Sequence, residues 1–193
     1  DLIIDYSVCN VYFLNQFENK FKNKHLYIAP LIYDRIYTNF KDRNIAVLTT
    51  FVKPWKEPRK TFIEDLKNKN IQVINVNNCH DKISLKKVLQ NSKIIINKRR
   101  DPRLKTFEEL RVLSALMNGV IVISEKTKFI DKLSYYDLVI WCDLNGIAEK
   151  IKEVLNNYEK YHGEIFSKKN IGILKKMEKD NILRLEKKLK EVI

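Results

Sequence analysis

The sequence predicts an α/β fold: a Rossmann-like, doubly wound parallel sheet with C-terminal helices. Two observations carry this. Apolar runs of strand length alternate with amphipathic segments of helix length, joined by short loops, which is the pattern of parallel strands joined by helices. The stretch Ser92 to Glu125 reads as one complete strand, basic loop, helix, glycine stop and strand, a βαβ unit in itself.

Taken in order, the chain opens with a strand-like start at Leu2 to Ile4, a polar helix from Val11 to Lys22 and a second short strand in His25 to Tyr33 that runs into Pro30. A charged connection at Lys41 to Asn44 leads to a buried strand, Ile45 to Phe51. The loop that follows, Val52 to Lys60, opens an amphipathic helix over Thr61 to Lys69. Ile71 to Val76 is the next strand and Ser84 to Gln90 the next helix, with Ser84 as its cap. The apolar run Ile94 to Ile96 is too short for a helix and reads as a strand. Leu110, Leu113, Ala115, Leu116 and Met117 then form a helical stripe that Gly119 ends, and Val120 to Ile123 follows as a buried strand. A last strand lies near Leu138 to Cys142. From Asn145 onward the texture is charged helix, with one apolar stripe at Ile147, Ile151, Val154, Leu155 and Tyr158 and another at Leu174, Met177, Leu185, Leu189 and Val192, predicting two helices packed on the sheet.

Length and composition bound the function. At 193 residues and 45% apolar content the chain suits one principal α/β domain. No stretch approaches the roughly 20 apolar residues of a membrane span, and no leader pattern opens the chain, so the expectation is a cytoplasmic protein, with peripheral membrane attachment left open. Cys9, Cys79 and Cys142 are widely spaced and lack a CxxC pairing, which argues for reduced thiols and against a structural zinc site. The net charge of +13 permits phosphate or acidic partners, but 29 of the 37 basic residues are lysine, as solvated helix faces also require.

With four glycines in the whole chain there is no GxGxxG and no GxxxxGK[ST], so any anion must be held by side chains and helix ends. Two loops at the carboxyl ends of core strands are equipped for this: Lys53, Lys56, Arg59 and Lys60 after the Ile45 strand, and Lys98, Arg99, Arg100 and Arg103 after the Ile94 strand. Helices starting near Arg59 and Thr106 add their free N–H groups. Glu108 and Arg111, three apart on one helix, read either as an intrahelical ion pair or as a ligand-hydroxyl acceptor beside a phosphate-binding guanidinium. Asn97 and Glu125 end strands at the same edge. Asp5, His25 and His80 are weak candidates for a catalytic base, and no metal-ligand spacing occurs.

The residues Asn97, Phe107, Glu108, Arg111, Gly119, Ser124 and Glu125 together resemble the signature of the nucleotide-sugar-binding C-terminal half of GT-B glycosyltransferases, particularly the spore-maturation-like, family 1-like branch. The loop with Arg59, the helix after it and IQVINV look like that half's first unit, and DYSVCN with YIAPLIY is similar to the end of the preceding acceptor-side half. The resemblance covers most of residues 1–155. It implies a single GT-B half: residues 1–40 as a remnant or edge of the acceptor-side half, 41–146 as the Rossmann-like donor domain and 147–193 as C-terminal helices. It implies sugar transfer from a nucleoside diphosphate sugar without a metal or other cofactor, with Arg59, Lys60, Asn97, Lys98, Arg99, Arg103, Thr106, Glu108, Arg111 and Glu125 at the donor. The catalytic base would come from an acceptor half, on a missing N-terminal segment or a partner chain, and the acceptor, whether glycan, lipid or protein, is unassigned. Aligning Gly119 puts Thr106 and Ser114 where common retaining enzymes carry two glutamates, which favours an inverting transfer or another sugar-contact scheme.

Two other classes stay in view. A nucleic-acid-binding basic module would want aromatic platforms among its cations, and Lys98 to Lys105 contains none, so nucleic acid is disfavoured as a partner. A non-catalytic interaction domain would bind no nucleotide at all.

Overall fold

The computed structural model describes residues 2–17, 24–77, 81–100 and 107–191. Two sheets are present among them. The main sheet has five parallel strands: β3 (Ile45–Thr49), β4 (Ile74–Asn75), β5 (Ser92–Asn97), β6 (Ile121–Glu125) and β7 (Val139–Cys142), in the spatial order β4-β3-β5-β6-β7. A smaller parallel pair, β1 (Ile3–Asp5) and β2 (His25–Tyr27), flanks α1 (Val8–Phe17). The other helices are α2 (Arg59–Asn68), α3 (Lys82–Gln90), α4 (Glu109–Met117), α5 (Ile147–Asn156), α6 (Tyr158–Ile165) and α7 (Lys168–Lys190). The Rossmann-like doubly wound sheet is therefore the observed fold.

The physical origin lies in the apolar strands. Ile94, Ile95 and Ile96 of β5 and Ile121, Val122 and Ile123 of β6 are at most 1% exposed, paired in register as Ile94 with Ile121 and Ile95 with Val122. Strands apolar on both faces need a helix layer on each. One layer holds α2 and α5, tied by Lys69 to Glu149 at 2.9 Å. The other holds α3 and α4, where Gln90 at the end of α3 donates to Asn118 at 3.3 Å.

Several boundaries differ from the expected ones. The expected strand through Tyr33 stops at Tyr27, because Pro30 has no N–H to give and Ala29 is instead clasped by Asn181 of α7, which accepts from its N–H and donates to its carbonyl, each at 2.9 Å. Helix α1 starts at Val8 rather than Val11, and residues 18–22 of its expected course lie outside the described residues. Asp81, not Ser84, caps α3: its Oδ1 accepts from the N–H groups of Ile83 at 3.0 Å and Ser84 at 2.8 Å. The C-terminal region forms three helices, because the first stripe breaks at Asn157 and Tyr158 begins α6. In the second stripe Leu174 and Met177 are buried, but Leu189 is 55% exposed; Val192 lies outside the described residues.

At the amino edge of the sheet, Arg43 is buried and donates to four backbone carbonyls, those of Asn39, Leu89, Ser92 and Asn118, at 2.6 to 3.1 Å. Gly119, at φ 68°, lies against it; a Cβ there would meet Arg43 Nη2 at 2.8 Å and collide with the Tyr37 carbonyl. The expected glycine stop is thus also a point of close approach.

Candidate anion-binding site at the strand ends

The chain leaves β3 toward β4 on one side and then crosses to β5 on the other. The carboxyl ends of β3 and β5 therefore border the crevice at which open α/β sheets bind ligands. Arg111 spans that crevice. From the first turn of α4 its Nε donates to Thr50 Oγ1 at 3.0 Å, just beyond β3, and its Nη1 donates to Asn97 Oδ1 at 2.8 Å, at the end of β5. Asn97 is 3% exposed and donates in turn to Ser124 Oγ at 3.0 Å, linking β5 to β6. These contacts make Arg111 and Asn97 positioning residues for the strand ends. Burial lowers the pKa of Arg111, with Glu108 opposing, yet the guanidinium stays charged at neutral pH.

Glu108 occupies the N-cap position of α4, its Oε2 is 3.9 Å from Arg111 Nη2, and half of its side chain is open to solvent. The expected ion pair is therefore long, and the carboxylate keeps accepting capacity toward a cavity of about 290 Å³ that it shares with Thr50, Arg111 and Ser114.

Arg59 heads α2 and is 5% exposed. Its Nη1 donates to the Val52 carbonyl at 2.8 Å, its guanidinium carbon lies 4.6 Å from the Phe51 ring centroid, and its buried Nε has no hydrogen-bond partner among the described residues. Burial, reinforced by Arg111 and Arg100, brings its pKa down to about 10. With Lys53, Lys56 and Arg100 it surrounds a cavity of about 510 Å³. Lys53 holds a left-handed φ of 59°, a conformation that costs a non-glycine residue free energy and clusters at functional loops. Trp55, two residues on, is 62% exposed.

The second basic loop is organised by Glu125. This carboxylate, 6% exposed at the end of β6, accepts from the Arg99 backbone N–H and lies 3.2 Å from Arg99 Nε and 3.3 Å from Nη2. Glu125 is thus engaged with Arg99 and fixes the start of the second basic loop. Lys98 is 3% exposed, with its ammonium 5.6 Å from the Phe62 ring centroid. Burial lowers its pKa, Arg59 and Arg99 add to the effect, and Glu125 opposes it.

Arg59, Lys98, Arg99 and Arg100 therefore converge at the strand ends, with Arg111 and Asn97 fixing the crevice beside them. Lys60 does not join them: its ammonium is 3.9 Å from Glu64 on the exposed face of α2. Arg103, Thr106 and His80 lie outside the described residues. The His25 side chain is buried, its Nε2 3.5 Å from Asp5 Oδ2, and Asp5 accepts from the Ser7 N–H at 2.8 Å, so the pair serves the β1–α1 junction. Among the described residues no group of three or more His, Cys, Asp or Glu side chains is placed to hold a metal ion.

Sequence reasoning missed two residues that matter. Thr50 was not legible because its role exists only when β3 and β5 are neighbours. Glu109, 0% exposed, accepts from the Val8 N–H at 2.5 Å and the Tyr27 hydroxyl at 2.7 Å, pinning the β1–α1–β2 segment to α4; burial raises its pKa. The only local signal is the Glu108–Glu109 pair, of which one faces the crevice and the other the interior.

The fold is GT-B-like. The chain is similar to the solved structure of TarM, a GT-B glycosyltransferase, at a TM-score of 0.59 and 15% identity over 98% of this chain and 43% of TarM. In sequence the chain is 29% identical over 112 residues to the uncharacterized protein R358 of Acanthamoeba polyphaga mimivirus, covering 56% of this chain and 39% of that protein. No family model matches. The chain spans less than half the length of either protein. No helix among the described residues is long and apolar enough to cross a membrane.

Proposed function

We propose that this chain is the donor-binding part of a glycosyltransferase that takes a nucleoside diphosphate sugar, with the diphosphate held by side chains and the start of α2 and without a metal. The observation that carries this reading is Arg59: a buried guanidinium whose Nε has no partner among the described residues, at a helix N-terminus, facing a cavity ringed by Lys53, Lys56 and Arg100. Fixed cations aimed at the diphosphate stabilise the charge that grows on it as the glycosidic bond breaks. Glu108 accepts hydroxyls of the sugar in the neighbouring cavity, and Arg111 and Asn97 hold the crevice to shape. The GT-B-like fold supports the assignment. The branch, the C-terminal-half identity and cytoplasmic location belong to this proposal, as does the reading of residues 1–40 as the edge of an acceptor-side half. That half, on the same chain or a partner, supplies the base that activates a glycan, lipid or protein acceptor.

The test is a thermal-shift and calorimetric screen of UDP, GDP, CMP and TDP with several of their sugars at moderate salt. Stabilisation by one nucleoside diphosphate family that is lost in Arg59→Ala supports the reading. Silence toward every nucleotide sugar would sink it. The exposed Trp55 between Lys53 and Lys56 is the one observation favouring single-stranded nucleic acid instead, and a short oligonucleotide in the same screen decides it: binding with a steep salt slope and no response to nucleotide sugars would transfer the assignment.

A further inference from the structure

A cavity of about 560 Å³ lies between α2 and α5, with Lys98, the residue after β5, in its lining. Its floor is built from Phe62, Leu66 and Ala148, which are 7%, 2% and 5% exposed, and Leu144, 44% exposed, stands at its mouth. Set among these apolar groups is Lys98, 3% exposed. Its ammonium faces the Phe62 ring and has neither ion pair nor hydrogen bond among the described residues; Glu125, whose charge reaches it, is committed to Arg99. The acids that border the groove, Glu57 and Asp65, are exposed at its rim, and Glu57 accepts from the Thr61 hydroxyl at 2.7 Å. Little of Lys98 reaches water and the acid nearest in charge, Glu125, is engaged by Arg99, so an anion supplied by a ligand gains from the Lys98 charge.

We propose that the α2–α5 groove binds an amphiphilic anion, with its acidic head on Lys98 and its apolar body on Phe62, Leu66 and Ala148. The apolar floor excludes a bare inorganic ion as the matching ligand, because an ion leaves that surface wet. The Lys98 ammonium disfavours a neutral alkane or alcohol, because these bring no charge to meet it. The volume lies within the roughly 300 to 1,000 Å³ of small-molecule sites. The proposal rests on a different cavity from the donor reading, with Lys98 as the residue the two have in common. Lys98 also borders a cavity of about 250 Å³ at the strand ends, with Arg99 and Cys142, so the two sites share one positive charge.

The experiment is calorimetric titration of the full chain with octanoate, octyl phosphate, octanol and inorganic phosphate. The expected result is that at least one of the two eight-carbon anions binds about tenfold or more tighter than both octanol and inorganic phosphate. Preference for octanoate identifies a fatty-acid type of ligand and preference for octyl phosphate a lipid phosphate; either supports the proposal. Lys98→Met should bring the anions to the level of octanol. Ala148→Phe, which fills the groove and leaves the charge, should abolish binding of the eight-carbon anions. If that variant does not fold, Leu144→Asp at the exposed mouth should weaken the anions and spare octanol. Octanol binding as tightly as both anions, no binding of either anion, or anion binding unchanged in Lys98→Met and in whichever groove variant folds would each overturn the proposal. Nucleotide-sugar binding by Ala148→Phe, which leaves Lys98 in place, reports separately on the donor site.

Discussion

At the scale of single residues, the site is made by side chains that bridge distant strand ends. Arg111 reaches Thr50 and Asn97 with two different nitrogens of one planar fork, a geometry lysine cannot copy. Arg111→Lys should therefore leave the fold intact and lower nucleotide affinity by about tenfold, roughly 1.4 kcal/mol, measured by titration; an unchanged affinity would remove the crevice from the binding reading. Gly119 makes the opposite kind of point. Its φ of 68° and the Arg43 and Tyr37 atoms against its Cα leave no room for a methyl group. Gly119→Ala should cost about 2 to 4 kcal/mol in urea unfolding, beyond the approximate 1 kcal/mol of the φ penalty alone. The sequence marked Gly119 as a helix stop, and that was correct, but the crowding around it comes from residues some eighty positions earlier in the chain.

At the scale of elements, the strands were legible because a parallel strand buried on both faces is a continuous apolar run that no other surface element tolerates. Ends were less legible. Ser84 and Asp81 are both plausible caps by type, and which one caps depends on where the backbone turns into the helix. Because Asp81 accepts from two N–H groups, Asp81→Ala should lower stability by about 1 kcal/mol while Ser84→Ala stays within about 0.5 kcal/mol, both by chemical denaturation. Equal losses for the two would restore Ser84 as the cap. The break between α5 and α6 was invisible in the periodicity, since Tyr158 falls on the same stripe as Ile151 and Val154 although it belongs to the next helix.

At the scale of the molecule, distant elements are joined by buried polar groups whose ionisation follows from their surroundings. His162 of α6 is 2% exposed, bonds through Nε2 to the Gly119 carbonyl at 3.1 Å, and has its pKa brought down to about 4 by burial, with the Arg43 charge adding to it. The folded state thus binds a proton at His162 less readily than the unfolded chain, whose histidine titrates near 6.5. The stability this neutral ring contributes is fully present above about pH 6.5 and is lost as the pH falls from there to about 4. Allowing for solvent screening, the loss is on the order of 2 kcal/mol, and it should disappear in His162→Gln, so that the stability curves of the two proteins diverge across that window. Parallel curves would show that His162 is not the titrating group.

By itself the sequence determined the class of the fold and the edge at which to look for a ligand. Apolar period, loop length and the position of basic residues after strands are local properties, and local physics sets them. Arg59, Lys98 and Arg99 were placed at that edge by counting alone. Which strand lies beside which, and hence which cations converge, was decided only by the tertiary structure. The order β4-β3-β5-β6-β7 puts Thr50 within reach of Arg111, turns Glu125 onto Arg99, sends Lys60 to solvent beside Glu64 and buries Glu109 against Tyr27. Each of these outcomes depends on the free energy of burying or solvating a polar group, and that is known only once the rest of the chain has packed around it.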